Sequence, residues 1–182
     1  MACFAVIDTE TNWEDRVMSI GVCVADMDTF RFLGGKYYIL DPEYQIGGMY
    51  ESVLFPGNLQ HILCSRQQAL QDLKGFLNNQ DVQMMFAYNA GFDRNHLPEL
   101  SNFTWYDIMR LAAYRQTNPK ISACADCFRT GKLKRGYGVE PILRLLSDNE
   151  GYHETHNALY DAYDELQIMR LLGHKPGDYI PL

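Results

Sequence analysis

Residues 3–8, CFAVID, are apolar at both alternating positions until the closing aspartate. A strand covered on one face alternates apolar with polar, so this unbroken run predicts a central strand buried on both faces. Residues 17–25, VMSIGVCVA, predict a second strand, and residues 36–40, KYYIL, a third. Gly34-Gly35 and Gly47-Gly48 punctuate this half as turns. The period then changes. Ser65 with Gln68 has the form of a capping box, and Ala69, Leu70, Leu73, Phe76 and Leu77 follow at helical spacing. MMFA at 84–87 reads as a short buried strand ending at Tyr88-Asn89. A short helix should follow Phe92 and fail near Pro98.

Beyond Thr104-Trp105-Tyr106 a helix is expected across 107–115, then an irregular stretch over 116–138. Pro141 suits the first turn of a helix through Leu146. Leu159, Ala162, Leu166 and Met169 mark one face of a last helix. No linker, internal repeat or low-complexity segment interrupts the chain. The pattern predicts one α/β domain over residues 1–182.

Composition narrows the function classes. Apolar residues make up 47% of the 182, enough for a full core. No run of about 18 apolar residues occurs, so no membrane span is expected. The start, Met-Ala-Cys-Phe, lacks the basic and long apolar stretches of a secretion signal. Five cysteines without a disulfide framework fit a reducing, cytoplasmic setting. The net charge of −7 argues against a sequence-tolerant nucleic-acid coat protein. It does not argue against a metallonuclease, because two divalent cations would bring the loaded chain to about −3.

Three segments carry candidate chemistry. Asp8-Thr9-Glu10 closes the first strand. Residues two apart on a strand point to one side, about 6–7 Å apart. Two carboxylates so placed can share divalent ions about 3.5–4 Å apart; a solvated strand end would read the same. Asp93, in NAGFD, sits just inside a helix start, where an acid is often only a partner of the helix dipole. His156 and Asp161 stand about 500° apart along a helix, some 140° around its axis, so they share no helical face. They converge if His156 precedes the helix, with Thr155 near its boundary and Asp161 in its second turn. The alternative is an incidental surface pair.

Together the three segments resemble the DEDDh exonucleases, the group that includes polymerase proofreading subunits, RNase T and oligoribonuclease. The first motif stands as DTET at 8–11, the second as NAGFDRNHL at 89–97, and the third as HNALYDA at 156–162. Tyr106-Asp107-Ile108 is similar to a further family aspartate that follows the fifth strand. The resemblance covers nearly the whole chain in the right order. It implies an RNase H-like mixed sheet of about five strands flanked by helices. It implies metal ligands at Asp8, Glu10, Asp93 and Asp161 for two ions, Mg²⁺ or Mn²⁺, with His156 as general base. The implied activity is 3′–5′ hydrolysis of single-stranded DNA or RNA ends to nucleoside 5′-monophosphates. Two readings compete: a catalytically silent nucleic-acid-binding domain and an RNase H-type endonuclease. Neither a polymerase partner nor an oligomeric state follows from the sequence.

Where the family often reads D-x-E-T-T-G, this chain runs Thr11-Asn12-Trp13. That departure bears on substrate preference. Thr11, Trp13 and Asn89 are candidate substrate contacts, Trp13 by stacking on a base or else by covering a core edge. Residues 120–135 hold Lys120, Arg129, Lys132, Lys134 and Arg135 against Asp126, locally +4. Lys132, Lys134 and Arg135 are candidate phosphate contacts on a mobile flap, or members of a solvated loop. Cys124-Ala-Asp-Cys127 has zinc spacing, but a structural zinc needs four ligands. His153, His174 or Cys64 would have to be recruited, and His153 is expected in solvent.

Overall fold

The computed structural model describes residues 2–182. Six strands form one mixed sheet: β1 (Cys3–Thr11), β2 (Val17–Asp26), β3 (Phe32–Leu40), β4 (Ile62–Cys64), β5 (Met84–Ala87) and β6 (Thr104–Asp107). Their order across the sheet is β4-β3-β2-β1-β5-β6. β1 pairs antiparallel with β2 and parallel with β5, and β5 pairs parallel with β6. The expected strand count of about five becomes six because of β4, a three-residue edge strand beside β3. Its side chains are exposed or half-buried, so it leaves no hydrophobic signature. β3 also starts earlier than residue 36, because the Gly34-Gly35 pair read as a turn continues the ladder against Val24 and Cys23.

Helices cover both faces: α1 (Arg66–Asn78), α2 (Gly91–His96), α3 (Met109–Ala112), α4 (Val139–Ser147) and α5 (Ala158–Leu172). Ser65 and Gln68 complete the expected capping box on α1. Alternation along β1 divides the core. Ala5 and Ile7 pack with Leu70, Leu73 and Leu77 of α1, whereas Phe4 and Val6 pack with Leu143 of α4 and Ala162, Leu166 and Met169 of α5. The second parity continues to Asp8 and Glu10, so the strand that buries apolar groups against α5 delivers its acids to the same side.

The helix expected over 107–115 shrinks to α3, four residues long. The chain beyond Ala112 trades helical bonds for tertiary ones: Leu133 donates to the Ala113 carbonyl and Arg115 to that of Gly131. Isolated bridges join Tyr114 to Lys132 and Cys127 to Leu133. The 116–138 stretch is therefore non-helical as expected, yet its basic part is a hydrogen-bonded hairpin rather than a loose flap.

α5 meets β2 at one tight point. A Cβ on Gly21 would lie 2.1 Å from the carbonyl carbon of Ala158. Asp8 pairs with Gly21 across the ladder, so this contact seats the start of α5 over the first acid. Gly21→Ala should push α5 away and cost at least about 1–3 kcal/mol. At roughly 2–4 °C per kcal/mol for a chain of this size, a thermal melt should show a clear drop. An unchanged melting temperature would mean the contact is slack.

Candidate active site

β1, β5 and β6 run parallel, so their C-terminal ends lie side by side, where open α/β sheets place their ligands. β1 brings Asp8 and Glu10 to that end, with a register shift after Glu10 that ends regular pairing. β5 feeds a tight turn in which Asn89 adopts a left-handed φ of 62°, and α2 follows with Asp93 buried on it. Thr9 donates its hydroxyl to Asp93 Oδ1 at 2.7 Å, tying α2 to the strand. α5 brings Asp161. His156 precedes it in a left-handed conformation, φ 56°, which turns the imidazole toward the acids. One ligand atom each from Glu10, His156 and Asp161 lie within 4.8 Å of one another.

The convergence of His156 and Asp161 differs from expectation in two details. Asn157, not Thr155, caps the helix, accepting from the N–H groups of Leu159 and Tyr160. Asp161 consequently falls in the first turn, not the second. Asn157 also donates to the Tyr37 hydroxyl and the Val53 carbonyl, at 3.0 and 2.9 Å, which fixes the segment before the helix.

Burial and mutual repulsion dominate the electrostatics. Burial pushes the Glu10 carboxyl up to about 8, with Asp161, Glu154 and Asp93 adding to the rise. Burial raises Asp161 to about 8, and Glu154 and Asp164 add to it. Asp93 rises to about 7 by burial, held back by the Thr9 hydrogen bond. Asp8 is raised by burial and then by Asp93, Glu10 and Asp161. Among the described residues its buried Oδ2 has no hydrogen-bond partner. A buried acceptor left in this state is costly unless something positive meets it. Oxygen donors with one imidazole are the donor set that hard divalent cations take, so the residues present fit such ions. His156 runs the other way: burial lowers its pKa, which favours the neutral ring.

An open groove of about 390 Å³ adjoins the acids, lined by Thr9, Glu10, Thr11, Trp13, Met49, Tyr50 and Phe92. Trp13 is 68% exposed, so it covers no core edge. Asn89 lies exposed at the end of β5. A roomier depression of about 500 Å³ beside Lys36, Gln68 and Asp72 holds no comparable set of acids, and its Asp72 is already paired with Lys36 at 2.6 Å.

The basic candidates sit on the hairpin. Lys132 lies over the Tyr137 ring, 4.5 Å from its centre, and Lys134 pairs with Asp126 at 2.8 Å. Arg135 is exposed. The Tyr137 carbonyl accepts from the Tyr88 hydroxyl at 2.5 Å, so the base of the hairpin touches the turn that leads to Asp93. Cys124 and Cys127 remain free thiols. Among the described residues, the one group of three or more potential metal ligands is Glu10, His156 and Asp161. His153 is exposed, as expected.

Sequence reasoning missed several neighbours. Tyr50 stacks on the His156 ring at 4.0 Å and 15°; only tertiary folding brings them together. Glu154, half-buried, is raised to about 7 by burial. Glu165 is 2% exposed. Its signal was present, because it falls within the apolar stripe of α5, where a charge needs a reason.

No protein-family model matches the chain, and no curated protein does. Solved structures do. The nuclease domain of 3′hExo, described as a DEDDh family member bound to rAMP, superposes with a TM-score of 0.63. It is 12% identical, over 92% of this chain and 90% of that one. A 3′-exonuclease described as recognising the 3′ end of a histone mRNA stem-loop gives 0.64 at 11% identity, over 99% and 70%. Exonuclease I from Methylocaldum szegediense gives 0.59 at 14%, over 94% and 40%. The chain shares the fold of these solved exonuclease structures. The acids at the end of β1, in the first turn of α2 and in the first turn of α5 are those of the three sequence motifs.

The raised carboxyl pKa values set a pH dependence for the metal-free protein. A folded-state pKa above the unfolded one means the folded state binds more protons between the two values, so stability falls as pH rises through that window. With Glu10 and Asp161 at about 8 and Asp93 at about 7, the loss should run from about pH 4 to pH 8. In chelator, the melting temperature should therefore fall from pH 5.5 to pH 8. Asp161→Asn should raise it at pH 8, by roughly 2–4 °C per kcal/mol of repulsion relieved. A melting temperature that rises over this range would contradict the assignment.

Proposed function

We propose that residues 1–182 act as a single metal-dependent exonuclease domain, removing nucleoside 5′-monophosphates from the 3′ ends of single-stranded DNA or RNA. The observation that carries this reading is the convergence of Asp8, Glu10, Asp93 and Asp161, half-buried to buried, with Asp8 Oδ2 unpartnered among the described residues, beside a histidine whose pKa burial lowers. The fold shared with structures described as 3′-exonucleases supports the reaction class and the polarity. Five cysteines, an odd number without a disulfide framework, fit a reducing, cytoplasmic setting.

Asp8, Glu10, Asp93 and Asp161 would hold two divalent cations, Mg²⁺ or Mn²⁺. When bound, such cations supply charge neutralisation and Lewis acidity toward water and phosphate oxygens. The protein's own groups then divide the remaining work. His156 takes a proton from the attacking water at an imidazole nitrogen, and the Tyr50 ring against it limits its rotation. Thr11 and Asn89 meet the terminal nucleotide at the rim. Trp13 offers an exposed ring for base stacking, worth about 1–3 kcal/mol. Lys132, Lys134 and Arg135 contact phosphates further along the strand. The Lys134–Asp126 pair is exposed, and such pairs exchange partners at little cost.

End-labelled oligomers test the reaction. A 5′-labelled strand should shorten stepwise with Mg²⁺ or Mn²⁺ and stay intact with excess chelator or after Asp161→Asn. A blocked 3′ end should resist. Internal cuts in a circular single strand would point to an endonuclease instead. His156→Ala, shown to be folded by a melt, should lower kcat by about 100-fold or more while binding is largely kept; a wild-type rate would move the base elsewhere. Replacing Lys132, Lys134 and Arg135 by Gln should flatten the slope of log affinity against log salt by up to about 2 units. An unchanged slope would return the hairpin to a solvated role.

A further inference from the structure

Glu165, 2% exposed, is a buried acid for which this mechanism has no use. It lies on α5 one helical turn after Asp161, inside the apolar stripe. Its Oε2 accepts the backbone N–H of Tyr88 at 3.0 Å. Tyr88 is the first residue past β5, and its N–H has left the ladder. The next N–H, that of Asn89, goes to Asp107 Oδ1 at 3.0 Å, and the same oxygen takes the N–H of Met109. The left-handed turn at Asn89 is thus gripped from two sides, by α5 through Glu165 and by the end of β6 through Asp107. That turn launches α2: the carbonyls of Asn89 and Ala90 accept from Phe92 and Arg94 at 2.9 and 3.0 Å. Asp93 therefore takes its position from the turn.

We propose that Glu165 is a positioning residue: by accepting the Tyr88 N–H it locks α5, which carries Asp161, to the turn that aims Asp93. Asp93 and Asp161 come from elements far apart in the chain. Thr9 ties Asp93 to β1, and Gly21 seats the start of α5 on β2. The Glu165–Tyr88 bond is the direct link between α5 and the turn. Two acids that must share cations tolerate little variation in separation, and losing outer partners that orient ligands typically costs about 10–100-fold in metal affinity.

The proposal rests on the reading that the acids hold divalent cations, so the test measures both. Mn²⁺ binding to the full chain is followed by calorimetry at fixed pH, without substrate, for wild type, Asp161→Asn and three variants at Glu165. Glu165→Gln keeps an acceptor at the same reach and should bind within about 3-fold of wild type. Glu165→Leu removes the acceptor and should weaken binding by about 10-fold or more. Glu165→Asp keeps the charge but falls a methylene short, and should weaken binding similarly; it decides the matter if the Leu variant does not fold. Wild-type affinity in both Leu and Asp variants would overturn the positioning role. So would a Gln variant as weak as Leu, since charge rather than the hydrogen bond would then matter. A wild-type protein that binds no Mn²⁺, or binds it as Asp161→Asn does, would overturn the metal reading beneath it.

Discussion

Carboxylates gathered at the end of a doubly buried strand repel one another where burial strips away part of their screening water. Asp8 and Glu10 follow Phe4, Ala5, Val6 and Ile7, all with no exposure. The same alternation that sends Phe4 and Val6 into the helical layer sends both acids toward α5. Asp93 and Asp161 then arrive from other segments. Each acid is pushed up by burial, and for Asp8 the neighbouring acids come next. Hydrophobic burial elsewhere holds this arrangement in place, because mutual repulsion within the cluster gives no stability of its own.

The surrounding structure serves to keep those groups from drifting apart. Gly21 permits a backbone contact that a side chain would forbid. Asn157 caps α5 and binds Tyr37 and Val53 at once, so the histidine before it is fixed by its neighbours. Tyr50 closes one face of that histidine. On the other side of the site, Thr9, Glu165 and Asp107 hold the short connection between β5 and α2. The groove beside Trp13, Met49 and Phe92 stays open and partly aromatic.

The strands and the Asp8–Glu10 pair were legible in the sequence for one reason: both follow local periods. CFAVID announces a buried strand, and D-x-E places two acids on one side of it. The motif order supplied what spacing alone left open for Asp93, His156 and Asp161. The misses were tertiary in origin. β4 is too short and exposed to show a period. α3 stops early because Thr117 and Asn118 side chains take the Leu111 and Ala112 carbonyls and the hairpin takes that of Ala113. Asn157 displaced Thr155 as the cap because its amide also reaches across to β3 and the segment after it. Tyr50 has no sequence relation to His156 that spacing could reveal. Glu165 was visible as a charge in an apolar stripe, yet only the Tyr88 N–H explains it.

If the acids are protonated near neutral pH until cations arrive, binding must expel protons. Calorimetric titration of Mg²⁺ or Mn²⁺ at pH 7, repeated in buffers of different ionisation enthalpy, counts them directly. The expected result is a net proton release at pH 7 that fades toward pH 9 and shrinks in Asp8→Asn. Binding at pH 7 with no proton release, or a release unchanged in that variant, would contradict the central place given to the buried carboxylate cluster.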